Sequence, residues 1–239
     1  MILPAIICLS NNCSKNPGFI PSRLPVDPPA NDTLVFSDTS IKSFLALGDS
    51  YTIGQSVEPE VRYPTLAAQW LNENGAGVKK PVYIAQTGWT TRSLISAMQK
   101  IDVKDTFDII TLLIGVNDQF QGFDTGGYSA RFTEILEKSI RLAGGRPGRV
   151  FVLSIPDYSV TPFVSARDKQ EVSESVDLFN TINKRITEEH HCPYINVTES
   201  SRDAAFNASL IASDRLHFSG VEYRKWANLL GPVILRSFK

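Results

Sequence analysis

The chain has 239 residues, 42% hydrophobic and 21% charged, with 24 Lys and Arg against 25 Asp and Glu for a net charge of −1. This is ordinary globular composition, which excludes collagen, coiled coil and extended disorder. The balanced charge offers no general attraction to nucleic acid or to an anionic membrane, so neither is expected as a partner.

The first 42 residues differ from the rest. An apolar run, Ile2 to Leu9, is followed by Cys13, and six of the 14 prolines fall at positions 4, 17, 21, 25, 28 and 29. Proline lacks a ladder donor and restricts its predecessor, so this stretch reads as an extended tether. Stub, cysteine and tether together resemble a bacterial lipoprotein leader, with Cys13 as the lipidated first residue. The expectation is an exported enzyme of the cell envelope or periplasm, touching membrane only through a lipid anchor. The alternative is an extension on a cytoplasmic enzyme. Cys8, Cys13 and Cys192 are too few and scattered for a disulfide framework or a zinc site, and Cys192 reads as a small buried hydrophobe.

From residue 43 to 239 the sequence reads as one domain, in which short apolar runs alternate with helix-period segments. The runs are Phe44–Leu47, Val82–Ala85, Ile109–Ile114, Val150–Leu153 and Tyr194–Val197. Most are continuously apolar, as strands covered on both faces should be. Helices are expected over 63–71, 93–101, 128–142, 168–189 and 221–235, with Gly231-Pro232 interrupting the last. Five strand–helix alternations predict an α/β domain with a five-stranded parallel sheet between two helical layers. Its functional residues belong at the carboxyl ends of the strands.

Polar residues and glycines gather at those ends: Gly48-Asp49-Ser50 after the first strand, Gln86-Thr87-Gly88-Trp89 after the second, Gly115-Val116-Asn117-Asp118 after the third. Ser213-Asp214-Arg215-Leu216-His217 lies ahead of the last helix. A nucleophilic serine needs a base, and the base needs a group that orients it. Of three histidines, His190 and His191 close a helix, where an imidazole interacts favourably with the dipole. His217 instead follows Asp214 by three residues, close enough for the carboxylate to fix its ring. Ser50, Asp214 and His217 therefore form a candidate triad, since hydrolases of unrelated fold use different chain orders. The Ser50 N–H, the Gly88 N–H and the Asn117 side-chain amide are candidate oxyanion donors. Asp49 and Asp118 read as turn-holding residues. No metal-ligand cluster or cofactor motif is evident.

Taken in order, Gly48-Asp49-Ser50, Gly88, Gly115-Val116-Asn117-Asp118 and Asp214-x-x-His217 resemble the four signature blocks of the SGNH, or GDSL, hydrolase family. The resemblance spans roughly residues 43–235. It implies a flavodoxin-like α/β/α fold and metal-free ester or thioester hydrolysis. Ser50 is then the nucleophile, Gly88 and Asn117 complete the oxyanion hole, His217 is the base and Asp214 orients it. Tyr51 and Phe218 stand where leucine and proline are often found. Trp89, Tyr158, Pro162, Phe163 and Phe218 are candidates for the wall of an acyl or leaving-group pocket.

The expected substrate is a small ester with a short acyl or acetyl group, acetylated sugars included; a lysophospholipid or acyl-thioester is the alternative. A monomer suffices for such a site. From a different class, the Ser50–Ser56 loop sits where flavodoxin-like binding proteins seat a phosphate. That reading leaves Gly88, Asn117 and the Asp214–His217 pair unused. A catalytically dead relative is also a rival, but every expected side chain is present.

Overall fold

A computed structural model describes residues 40–101 and 106–239. The leader expected over 1–42, with Cys13, lies outside the described residues except for its last three positions. Five strands form one all-parallel sheet: β1 (Phe44–Gly48), β2 (Val82–Ala85), β3 (Ile109–Leu113), β4 (Val150–Leu153) and β5 (Tyr194–Ile195), in the order β2-β1-β3-β4-β5. This is the flavodoxin-like order, which reverses direction once.

Eight α-helices accompany the strands among the described residues: α1 (Ser50–Ile53), α2 (Tyr63–Glu73), α3 (Thr91–Met98), α4 (Val116–Phe120), α5 (Thr125–Leu142), α6 (Lys169–Glu189), α7 (Thr198–Arg202) and α8 (Gly220–Ser237). The first crossover runs one way along the sheet and the later ones run the other. Right-handed connections therefore put α2 on one face and α3, α5 and α6 on the other. Packing agrees, since α2 lies against α8 while α5 lies between α3 and α6. The core is the sandwiched apolar surface: every residue of β1, β3 and β4 is buried, and so are Leu66, Phe132, Phe179 and Trp226.

The strand at the free edge departs from expectation. Val82 of β2 is 54% exposed and the remainder of that strand is only half-buried. An apolar run thus marks a strand here without marking two covered faces. The expected break at Gly231-Pro232 is also corrected, because α8 continues through Pro232 to Ser237. Proline costs an interior helix about 3 kcal/mol. Here Trp226, Ala227, Leu230, Gly231, Ile234 and Leu235 carry one buried face across it. Gly231 is part of the reason, since a Cβ there would run into the Trp70 ring of α2.

Two other boundaries follow from partners distant in sequence. Helix α3 starts two residues earlier than its periodicity indicates, because the Asp118 carboxylate accepts the Thr91 N–H at 2.8 Å. Strand β5 stops at Ile195 because Ser154 Oγ, at the end of β4, takes the Val197 N–H at 2.8 Å. Asn196, read as part of a buried strand, is exposed.

Candidate active site

Sheet register sets the site. Gly48 pairs with Ala85 on one side and Leu113 on the other. Ser50 lies two residues past Gly48, Gly88 three past Ala85 and Asn117 four past Leu113. All three therefore leave the same sheet edge, at the crevice between β1 and β3 where strand order reverses.

Ser50 begins α1, capped by Asp49, whose Oδ1 accepts the Tyr51 N–H at 3.0 Å. That bond fits the turn-holding role read for Asp49, but its other carboxyl oxygen is buried without a partner. Burial pushes the Asp49 carboxyl up to about 8, against the restraining Tyr51 N–H and with the charge of Asp118 adding to the rise. Asp118 does something else. It receives the Thr91 N–H and hydroxyl and pairs with Arg131 at 3.2 Å, tying α4 to α3 and α5.

His217 arrives from the far end of the chain on a tight loop. Ile211 bridges Phe218, and the Ala212 N–H donates to the His217 carbonyl at 2.8 Å. Asp214 folds back inside this loop, where its Oδ1 accepts the Leu216 and His217 N–H groups at 3.0 and 2.9 Å. Its Oδ2 lies 2.6 Å from His217 Nδ1, and His217 Nε2 lies 2.9 Å from Ser50 Oγ. Oδ2 also accepts the Ser56 hydroxyl at 2.7 Å. Partial burial of the Asp214 carboxyl acts to raise its pKa. The Ser56 hydroxyl, the two backbone N–H groups and the imidazole outweigh that and bring it down to about 2. A carboxylate on Nδ1 keeps the proton on that nitrogen and leaves Nε2 free to accept from the serine.

The donors expected around an oxyanion sit as follows. Among the described residues, neither the Ser50 nor the Gly88 N–H donates to another group. Asn117 gives one Nδ2 hydrogen to the Trp89 carbonyl at 2.9 Å. That bond fixes the amide plane and leaves its second hydrogen unused. Gly88 has φ +80° and no atom within 4 Å of where a Cβ would stand. The backbone angle, not crowding by the protein, is what asks for glycine.

A cavity of about 130 Å³ opens beside Ser50. Its polar lining is Ser50, Asn117 and His217; the remainder is Tyr51, Val116, Phe120, Tyr158, Phe163 and Leu216. Tyr158 and Phe163 thus stand where a pocket wall was read. Phe218 and Trp89 do not. Phe218 is 0% exposed, packed between Tyr51 and Trp226 at ring distances of 5.9 and 5.7 Å, so it belongs to the core. Trp89 contributes its carbonyl to Asn117 and is not part of the cavity lining.

Sequence reading missed four wall residues, Tyr51, Val116, Phe120 and Leu216, although Val116 and Leu216 lie within a motif, Tyr51 adjoins one and Phe120 is two residues past one. Tyr51 also packs edge-on against the His217 ring at 5.4 Å, where leucine would give no such contact. Phe120 and Phe163 are 59% and 51% exposed, with rings 6.1 Å apart, and Tyr158 is held to α4 by its hydroxyl on Gln119 at 2.9 Å. The loop read as a phosphate seat ends at the Asp214 carboxylate, which holds the Ser56 hydroxyl, a poor setting for an anion.

Comparison with known proteins agrees with the fold and gives the family. The GDSL-like Lipase/Acylhydrolase family matches residues 46–225. Among solved structures, a member of the lipolytic G-D-S-L family from Veillonella parvula is 20% identical, with TM-score 0.63 over 81% of this chain and 98% of that one. The psychrotrophic esterase EstA from Pseudoalteromonas sp., solved inhibited by monoethylphosphonate, is 16% identical, with TM-score 0.61 over 82% and 97%. Axe2, an acetylxylan esterase from Geobacillus stearothermophilus, is 18% identical, with TM-score 0.60 over 82% and 94%. At these identities the likeness is one of fold. No curated protein matches.

Proposed function

The chain belongs to the GDSL-like lipase/acylhydrolase family, and from that premise we propose that it hydrolyses short-acyl carboxylic esters through an acyl-enzyme on Ser50. Membership makes it an ester hydrolase; acyl length and residue roles are the proposed part. The observation that carries the reading is the unbroken line Ser50 Oγ, His217 Nε2, His217 Nδ1, Asp214 Oδ2, with separations of 2.9 and 2.6 Å at the mouth of an apolar cavity.

In this reading Ser50 Oγ attacks the ester carbonyl as its proton passes to His217 Nε2. Asp214 holds the ring and stabilises the imidazolium. The carbonyl oxygen becomes an oxyanion that takes hydrogen bonds from the Ser50 and Gly88 N–H groups and the free hydrogen of Asn117. As the intermediate collapses, the alkoxide leaves with the proton from Nε2. Water then repeats the sequence, releasing the acid and restoring the serine hydroxyl.

Size and polarity support the short acyl group. A closed cavity of about 150 Å³ holds one benzene, six carbons, so an open cleft of about 130 Å³ covers roughly that many carbons of an acyl chain and leaves the rest of a longer one in water. A sugar offers hydroxyls that need partners when buried. Here Ser50, Asn117 and His217 are assigned to the reaction and the Tyr158 hydroxyl is already on Gln119, which leaves a sugar few partners within the cavity.

The test is a rate series on p-nitrophenyl esters from acetyl to palmitoyl, beside acetylated xylan. The expected result is a maximum of kcat/KM near butanoyl to hexanoyl, with a steep fall by palmitoyl. A maximum at palmitoyl, or cleavage of acetylated xylan alone, contradicts it. The same proposal places the enzyme outside the cytoplasm, anchored through Cys13; this rests on the leader sequence. Cys13→Ser should then move it out of the membrane fraction of its host, and an unchanged distribution contradicts the anchor.

A further inference from the structure

We propose that Ser56 is a positioning residue of the triad, whose hydroxyl fixes the rotation of the Asp214 carboxylate so that one oxygen faces His217. The inference rests on the hydrolytic reading above. Asp214 sits on a surface loop with its side chain 29% exposed. Backbone N–H groups of its own loop hold Oδ1, but Oδ2 has two partners, His217 Nδ1 and the Ser56 hydroxyl at 2.7 Å.

Those partners are of different kinds. The imidazole takes up and returns a proton at Nε2 during turnover, whereas Ser56 does not react and sits 158 residues away in sequence. It lies three residues past the end of α1, the element that begins with the nucleophile. The Gly54 and Gln55 N–H groups both donate to the Ser50 carbonyl, the latter at 2.9 Å. The bond therefore closes a ring from Ser50 through its own turn to Ser56, across to Asp214, through His217 and back to Ser50 Oγ. Without it, among the described residues the loop carrying base and acid keeps one hydrogen bond to the nucleophile's turn, the one that catalysis makes and breaks, beside the non-directional packing of Tyr51 on His217 and Phe218.

The backbone adds a second observation. Ser56 has φ +64°, a region serine seldom occupies and glycine enters without strain. A side chain is kept where local structure favours none, and the contact that side chain makes is with the triad. Orienting a base through its carboxylate affects the chemical step rather than substrate binding, so loss of the hydroxyl should appear in kcat.

The experiment is a double-mutant cycle on p-nitrophenyl butyrate with Ser56→Gly, Asp214→Ala and the pair. Ser56→Gly removes the hydroxyl while suiting the backbone, so its melting temperature should not fall. Its kcat should drop about three- to tenfold with KM within about twofold. Once Asp214 is Ala, the same change should alter kcat by less than about 1.5-fold. Ser56→Ala, which keeps the Cβ and so the stiffness of the turn, should match Ser56→Gly in kcat. Wild-type kcat in Ser56→Ala overturns the proposal, and so does an equal loss in both Asp214 backgrounds. Full activity in Asp214→Ala alone is a separate failure: it sinks the triad reading and this inference with it.

Discussion

The two sides of the cleft are built by different forces. On one, Ser50, His217, Asp214 and Ser56 are joined by hydrogen bonds of 2.6 to 2.9 Å, and each atom's place is dictated by a directional partner. On the other, Val116, Phe120 and Phe163 are placed by packing, two of the three more than half exposed, and only Tyr158 has a directional tie, its hydroxyl on Gln119. Directional bonds tolerate little displacement and serve the bond-making step. An apolar wall gains roughly 25 cal/mol per Å² of substrate it covers, tolerates substitution, and sets which acyl group is preferred. Mutations on the first side should lower turnover alike on every substrate, and mutations on the second should reorder substrates.

The largest effects test the polar side. Ser50→Ala should lower kcat by about 10⁵-fold or more, with His217→Ala close behind. Asp214→Asn should lose less, about 10⁴-fold at most, because its role is orientation. Steady-state rates on one short ester check all three, and a wild-type rate in Ser50→Ala breaks the scheme. Asn117→Ala comes next, at about 100-fold in kcat with little change in KM. A rise in KM alone would make Asn117 a substrate-binding residue.

The apolar side predicts smaller, selective changes. Phe163→Ala or Phe120→Ala should cost about three- to tenfold in kcat/KM on hexanoyl esters and under twofold on acetyl esters, since each CH₂ buried is worth about 0.8 kcal/mol. Equal losses on both esters would mean the wall serves catalysis rather than selection, which removes the contrast.

The subtlest effect concerns Asp49, beneath the polar side. Its buried carboxyl titrates near 8 when folded, against 3.8 for an ordinary aspartate. The folded state therefore holds a proton that the unfolded state has released between those values. That contribution to stability is full below about pH 4, declines as pH rises and is gone above about pH 8. Asp49→Asn, which stays neutral, should flatten the decline. Parallel melting-temperature curves from pH 4 to 9 for the two proteins would contradict it.

The same contrast explains what the sequence made legible. Strands β1 and β4 appear as unbroken apolar runs because both their faces are covered, and the polar side is written in short segments whose spacing carries chemistry. The apolar wall left no such signature: Phe120 and Phe218 are alike in sequence, yet one lines the cleft and the other is buried against Trp226. What separates them is which way a helix or loop turns. Distant partners hid the rest. Asp118 fixes the start of α3 from 27 residues away. Ser56 reads as one hydroxyl of a glycine-containing loop until the fold brings Asp214 to it. Pro232 reads as a helix break because its local cost is visible and the buried face that offsets it is not.

The central claim is that Ser50 is the nucleophile, and covalent labelling tests it most directly. The protein is treated with a fluorophosphonate, digested and mapped by mass spectrometry, with Ser50→Ala in parallel. The expected result is a single phosphonyl adduct on Ser50, appearing as activity is lost, and no adduct on the variant. An adduct on another residue that tracks the loss of activity, or equal labelling of Ser50→Ala, would contradict it.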